Sequence, residues 1–181
     1  YLAVDDLLKL QKPLSDGPEH DEMLFIIIHQ TYELWFKQLI HEFSEAQRAL
    51  ENGDTHYALS ILGRIRTIMK VCVAQVDILE TMTPLQFNAF RGYLSSSSGF
   101  QSAQYRKIEM YSTEFINLVH KDKRAMFANS DDIEAMFEHI YWKEGATEIA
   151  TGTKTLTLIE FEAKYKDEFI ALGKANRTTN L

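Results

Sequence analysis

The sequence predicts an all-α fold, and three observations carry that prediction. Chain breakers are scarce: proline stands only at 13, 18 and 84, and glycine occurs 8 times in 181 residues, so long uninterrupted helices are expected. Between the breakers, apolar residues recur at three- and four-residue spacing rather than in alternation. Helix-start patterns with a threonine cap stand ahead of two of the apolar segments. No repeat with a period of about 20–50 residues is present.

Residues 1–17 read as an acidic, amphipathic N-terminal arm. The first long helix is expected over 18–52, with Asp16 or Gly17 as cap and Pro18 in the first turn, where a missing N–H costs nothing. Glu19, Asp21 and Glu22 suit the positive end of the helix dipole. No breaker then appears until Gly53, which gives a helix on the order of 50 Å long. Its middle, Met23–His29, is apolar all round, a pattern that predicts burial. A second helix is expected over 55–80, capped by Asp54 or Thr55, with Leu59, Leu62, Ile65, Met69, Cys72 and Val76 at helical spacing.

Thr83-Pro-Leu-Gln86 reads as a capping box with proline in the first turn, opening a short helix over 84–94. Ser95–Gly99 is a loop between helices. Helices over 101–120 and 131–143 follow, the latter capped by Ser130 or Asp131. Gly145–Thr155 is a polar loop, and Thr157-Leu-Ile-Glu160 is a second capping-box pattern for a helix over 157–173. A short strand at Thr153–Phe161 is the alternative there.

Composition excludes several classes. With 45% hydrophobic residues, 11 Phe, 8 Tyr and 2 Trp, the chain is too apolar for disorder. A net charge of −7 argues against nucleic acid, whose phosphates call for a basic surface. The single cysteine, Cys72, forbids an intrachain disulfide and suits a reducing, cytoplasmic setting. The longest wholly apolar run, Met23–Ile28, has six residues, against about 20 for a membrane span. The absence of an initial methionine and of a closing apolar element suggests part of a longer protein.

Many enzyme signatures are missing. The six histidines, at 20, 29, 41, 56, 120 and 139, form no His-Glu-x-x-His pair and none follows a Glu at three residues' distance. Three segments remain. His29 sits in an apolar run, where its ring nitrogens need partners; it is either a core histidine or a pocket residue that binds a ligand, with Phe25 one turn earlier on the same face. Arg91 lies four residues after Phe87, and is either an ordinary surface cation or a clamp on a carboxylate. The Ser95–Phe100 loop is either a connector or a hydroxyl-rich pocket wall. Together they would hold an aromatic amino acid, but none could do redox chemistry unaided. Cys72, Trp35 and Trp142 read as packing residues, and His41 as an outer-face residue.

These segments resemble a known family. His20-Asp-Glu-Met-Leu-Phe-Ile-Ile-Ile-His-Gln-Thr-Tyr-Glu-Leu-Trp-Phe-Lys37 is similar to the signature helix of the tryptophan 2,3-dioxygenase family. Leu79-Glu-Thr-Met-Thr-Pro84 with Phe90-Arg91, and Ser97-Ser-Gly-Phe-Gln-Ser102 with Gln104-Tyr-Arg106, resemble its second and third blocks. Order and spacing match from Tyr1 to about Glu109, and the likeness fades beyond Met110.

The resemblance implies a bundle of long helices carrying haem b, whose iron works with O₂ to cleave the indole C2–C3 bond of L-tryptophan to N-formyl-L-kynurenine, the first step of the kynurenine pathway. It implies His29 as the distal histidine that hydrogen-bonds the indole N–H, Phe25 beside the ring, and Ile26, Ile27 and Ile28 completing that wall. Arg91 would clamp the substrate carboxylate, and Phe87 stands where some members have a tyrosine that assists. Ser98 and Gly99 would lie near substrate and haem. Tyr1 and Leu2 would reach into a neighbouring subunit of a homotetramer. The family's proximal histidine, and the Gly-Thr-rich loop after it, lie on a later helix and are not among these 181 residues. The axial ligand is therefore expected C-terminal to this segment, neither His120 nor His139 is promoted to that role, and the 181 residues alone are expected to be inactive. A superfamily haem monooxygenase acting on a substituted indole or tyrosine, and a non-catalytic helical oligomerisation module, are the alternatives.

Overall fold

The computed structural model describes residues 1–17, 19–94, 101–147, 151–177 and 179–181. Among them the chain is all-α: no strand forms, and extended pairing is confined to the isolated bridges Val119–Ile140 and Thr147–Lys154. A single turn, α1 (Val4–Leu7), lies in the N-terminal arm. The long helix α2 (His20–Glu51) and the helix α3 (Thr55–Ala74) form the first hairpin. Gly53, at φ 76°, supplies the left-handed residue that reverses the chain between them. The Asp54 carboxylate then caps α3 by accepting from the Tyr57 N–H at 3.0 Å.

α3 ends at Ala74, and Gln75 separates it from the single turn α4 (Val76–Leu79). The Thr83 capping box forms in full. Its hydroxyl accepts from the Gln86 N–H, while the Gln86 side chain accepts from the Thr83 N–H at 2.8 Å. It opens α5 (Pro84–Arg91), followed by a 3₁₀ turn at Gly92–Leu94. Further along are α6 (Ala103–Ser112), α7 (Ile133–Phe137), α8 (Tyr141–Glu144) and α9 (Leu156–Ala175).

Several expectations are corrected. The helix expected across 101–120 stops at Ser112, because Thr113 is extended (φ −156°, ψ 160°), and a 3₁₀ turn at Phe115–Leu118 follows. The helix expected over 131–143 is split: Asp132 is the cap, α7 has five residues, and Ile140 turns extended to meet Val119. Thr155, not Thr157, caps α9, and that helix replaces the alternative strand. α2 starts at His20 with Glu19 as its cap residue, and Pro18 lies outside the described residues.

Two apolar clusters hold the chain together. Leu39, Phe43 and Ala46 of α2 meet Ile61, Ile65 and Ile68 of α3 and Ile108 of α6. The buried stripe of α3 is thus Ala58, Ile61, Ile65 and Ile68, whereas Leu59, Met69 and Val76 of the expected stripe are exposed. Both faces of α3 are apolar, and the face turned to α2 is the one covered. The second cluster gathers Met110, Phe115, Phe137, Trp142, Phe161 and Phe169 from the C-terminal elements. Buried Arg106 of α6 joins the two regions: its guanidinium donates to Glu109 at 2.8 Å and to the Tyr141 hydroxyl at 2.9 Å, and lies 5.7 Å from the Trp142 ring. No described helix is long and apolar enough to cross a membrane.

Candidate functional site

The site is built where the N-terminal half of α2 meets α5 and the arm. Phe25 and His29 stand one turn apart on α2, and their rings lie 4.1 Å apart, centroid to centroid. Phe25 is also 6.0 Å from Phe87 and 5.6 Å from Phe90, two residues of α5 whose rings meet edge-on at 5.5 Å. Phe90 is fully buried and anchors α5 to α2. Arg91, the last residue of α5, carries its guanidinium carbon 5.9 Å from the Phe87 ring centre. Two i,i+4 pairs, Phe25–His29 and Phe87–Arg91, thus form one continuous wall with an imidazole at one end and a guanidinium at the other.

The protonation of His29 follows from its neighbour. Its Nδ1 lies 2.7 Å from the Phe25 carbonyl oxygen, which can only accept, so Nδ1 carries the hydrogen. In the neutral ring Nε2 is then left as an acceptor. His29 also borders a cavity of about 370 Å³ whose other walls include Leu7 and Leu10 of the arm, Gln30 and Leu34 of α2, and Gln104 of α6. Gln104 is held there by donating to the Glu33 side chain at 2.7 Å and to its backbone carbonyl at 2.8 Å.

The apolar run of α2 is less covered than its composition predicts. Of Met23–His29 only Ile28 is buried, at 4% exposure; Leu24, Phe25 and Ile26 are half-buried, and Met23, Ile27 and His29 itself are exposed. Farther along α2 both α3 and α6 cover the inner face, whereas among the described residues the other elements packed on α2 are the short α4 and α5 and the arm. Successive helical residues point about 100° apart, so Ile26, three residues before His29, shares its face, whereas Ile27 and Ile28 do not. Tyr1 and Leu2 project from the start of the arm into solvent. Ser98 and Gly99 lie outside the described residues. Cys72 sits half-buried behind α2, where burial raises its thiol pKa and the Tyr32 hydroxyl donates to its carbonyl at 2.9 Å. Sequence reasoning missed Gln30, Gln104 and the role of Glu22. Glu22 reads locally as a dipole partner, yet it is buried at 1% exposure and accepts hydrogen bonds from the arm. A carboxylate directly preceding an apolar run was the available signal.

Among the described residues no group of three or more His, Cys, Asp or Glu is placed to hold a metal ion. A planar apolar macrocycle needs an apolar wall and one axial donor. Half-buried Phe25 and Ile26, with Phe87 beside Phe25 and His29 one turn on, fit one apolar face of such a group.

The all-helical architecture and this wall define a helical domain whose aromatic face carries an imidazole at one end and a guanidinium at the other. Residues 1–139 match the family model described as tryptophan 2,3-dioxygenase, and the chain belongs to that family. It is 62% identical over 109 residues to the tryptophan 2,3-dioxygenase of Herpetosiphon aurantiacus, a match covering 60% of this chain and 42% of that protein. The corresponding enzyme of Anaeromyxobacter dehalogenans is 57% identical over 109 residues, covering 60% and 40%. That of Dictyostelium discoideum is 40% identical over 167 residues, covering 80% of this chain and 41% of the relative. The chain therefore spans about two-fifths of the length of the curated relatives it matches.

Proposed function

We propose that this chain supplies the distal, substrate-binding side of a haem-dependent dioxygenase that cleaves the indole C2–C3 bond of L-tryptophan with O₂ to N-formyl-L-kynurenine. The observation that carries the proposal is the His29 Nδ1–Phe25 carbonyl bond, which turns Nε2 into an acceptor suited to an indole N–H. Family membership and the relatives' names support the same reading.

In this reading His29 accepts the indole N–H and orients the ring, without having to remove the proton. Phe25 flanks the ring, with Ile26, three residues before His29, beside it; Ile27 and Ile28 point away from that face. Arg91 clamps the substrate carboxylate, a task its planar fork performs better than an ammonium would. Phe87 closes the space between ring and carboxylate with apolar surface only. Ser98, Gly99 and, from a neighbouring subunit of a homotetramer, Tyr1 and Leu2 complete the enclosure. Haem b, when bound, would supply the redox chemistry with O₂, held against the apolar face of Phe25 and Ile26. The protein's own contribution is position and the exclusion of water.

The test compares ligands with and without a carboxylate on the full-length, haem-loaded protein. Arg91→Ala is expected to weaken L-tryptophan binding by about ten- to a hundredfold, as for a lost charge-assisted bond, and 3-methylindole binding by less than about twofold. Equal losses for both ligands would contradict the clamp.

A further inference from the structure

The N-terminal arm is fastened to α2 by polar bonds rather than by burial. Leu7, Leu8, Leu10 and Leu14 all remain exposed, and α1 has only four residues, too few to persist as an independent helix. Two fastenings hold it. Near its middle, the Gln30 side chain donates to the Leu10 carbonyl at 3.1 Å and accepts from Gln11 at 2.6 Å. Near its end, the buried Glu22 carboxylate accepts from the Leu14 N–H at 2.6 Å, the Ser15 N–H at 3.2 Å and the Ser15 hydroxyl. These donors lower the Glu22 pKa, the Ser15 hydroxyl most and the Leu14 N–H next, against the opposing effect of burial. On the N-terminal side of the Leu14–Ser15 fastening, Leu7, the last residue of α1, and Leu10 stand with His29 as walls of the same cavity.

We propose that Glu22 is a positioning residue for the His29 pocket: its carboxylate holds the arm so that Leu7 and Leu10 form the outer wall of the cavity beside the imidazole. The role rests on the reading of His29 as a substrate-binding residue. Glu22 touches no ligand and acts only through the arm. A carboxylate suits the task because two oxygens accept from three donors at once. A glutamine of the same size offers one acceptor oxygen and turns an NH₂ toward a donor.

Hydrogen exchange and steady-state kinetics on the full-length, haem-loaded protein test this together. In Glu22→Gln the Leu14 and Ser15 amides are expected to exchange about tenfold faster or more, the loss expected for bonds to a charged acceptor. Amides of residues 38–49 of α2 keep their rates. KM for L-tryptophan is expected to rise about threefold or more while kcat changes by less than about twofold, the signature of lost uniform binding. Ser15→Ala, which removes one donor and leaves both backbone bonds, should shift exchange and KM in the same direction by less. Unchanged exchange at Leu14 and Ser15 would overturn the latch. Faster exchange with KM unchanged in both variants would overturn its role in the pocket. Loss of protection throughout 38–49 in both variants would assign Glu22 to folding and overturn the proposal as well. A wild-type protein that shows the exchange protection yet does not turn over L-tryptophan would contradict the reading of His29, with the latch itself intact.

Discussion

His29 donates from Nδ1 to the carbonyl oxygen of Phe25, one turn earlier on the same helix, at 2.7 Å. Since the bond is local to α2, the tautomer is set before any ligand arrives. The acceptor nitrogen is thereby left to the pocket. In the full-length, haem-loaded protein, the tryptophan analogue with sulfur in place of the indole N–H should bind about tenfold more weakly than L-tryptophan, the scale of one hydrogen bond. His29→Ala should bring the two affinities within about twofold. A gap that survives in His29→Ala would assign the N–H to another acceptor.

Phe87 sits under the Arg91 guanidinium but has no donor of its own. In the proposed reading, Phe87→Tyr adds a hydroxyl near the Arg91 guanidinium that clamps the carboxylate. L-tryptophan affinity should tighten by about three- to tenfold, the usual range for a net hydrogen bond, with 3-methylindole unaffected. Calorimetric titration with both ligands checks this, and equal tightening for both would show that the hydroxyl acts on the ring instead.

Much of this wall is visible in the residues themselves. The i,i+4 spacing of Phe25 with His29, and of Phe87 with Arg91, places each pair on one face, and the Thr83–Gln86 box announces α5 through purely local chemistry. That the two pairs meet is a tertiary fact, made by Phe90 packing on Phe25; nothing local to either pair requires it, and it is anticipated by joining the segments into one pocket and by the family resemblance. The same limit explains the misplaced elements. Nothing local to Thr113 or Ile140 signals a break; Ile140 turns extended to pair with Val119 across the second cluster. Glu22 looks like a helix-dipole residue until the arm folds back on it.

Gly173 of α9 packs directly against Phe115 and Ile133 of the second cluster. A Cβ there would lie 2.6 Å from Cδ2 of Phe115 and 3.0 Å from Cγ2 of Ile133. Gly173→Ala should therefore destabilise the protein by about 1–3 kcal/mol, as overpacked cores do, despite alanine's better helix propensity. Thermal or urea unfolding measures it. A stabilised variant would mean that Phe115 has room to move.

Glu138 gathers three lysines, with Lys166 bonded to its carboxylate and Lys143 and Lys154 at 3.4 and 3.3 Å. Burial raises its pKa, but the Lys166 hydrogen bond and the lysine charges outweigh that and bring it from 4.5 to about 2. A folded-state pKa below the unfolded one contributes stability in full above pH 4.5, and that contribution fades as the pH falls toward 2. Glu138→Gln should thus reduce stability at pH 7 and flatten its fall between pH 4.5 and 2. Denaturant titrations at stepped pH read both effects. An acid limb as steep as that of the wild type would assign the fall to other carboxylates.

In the proposed reading this wall binds L-tryptophan for oxidative ring opening. The most direct test of that reading is the formation of N-formyl-L-kynurenine by the full-length, haem-loaded protein supplied with L-tryptophan and O₂. The account predicts tryptophan-dependent product that falls sharply in His29→Ala and Arg91→Ala. A protein that takes up haem, binds O₂ and leaves L-tryptophan unchanged would contradict it.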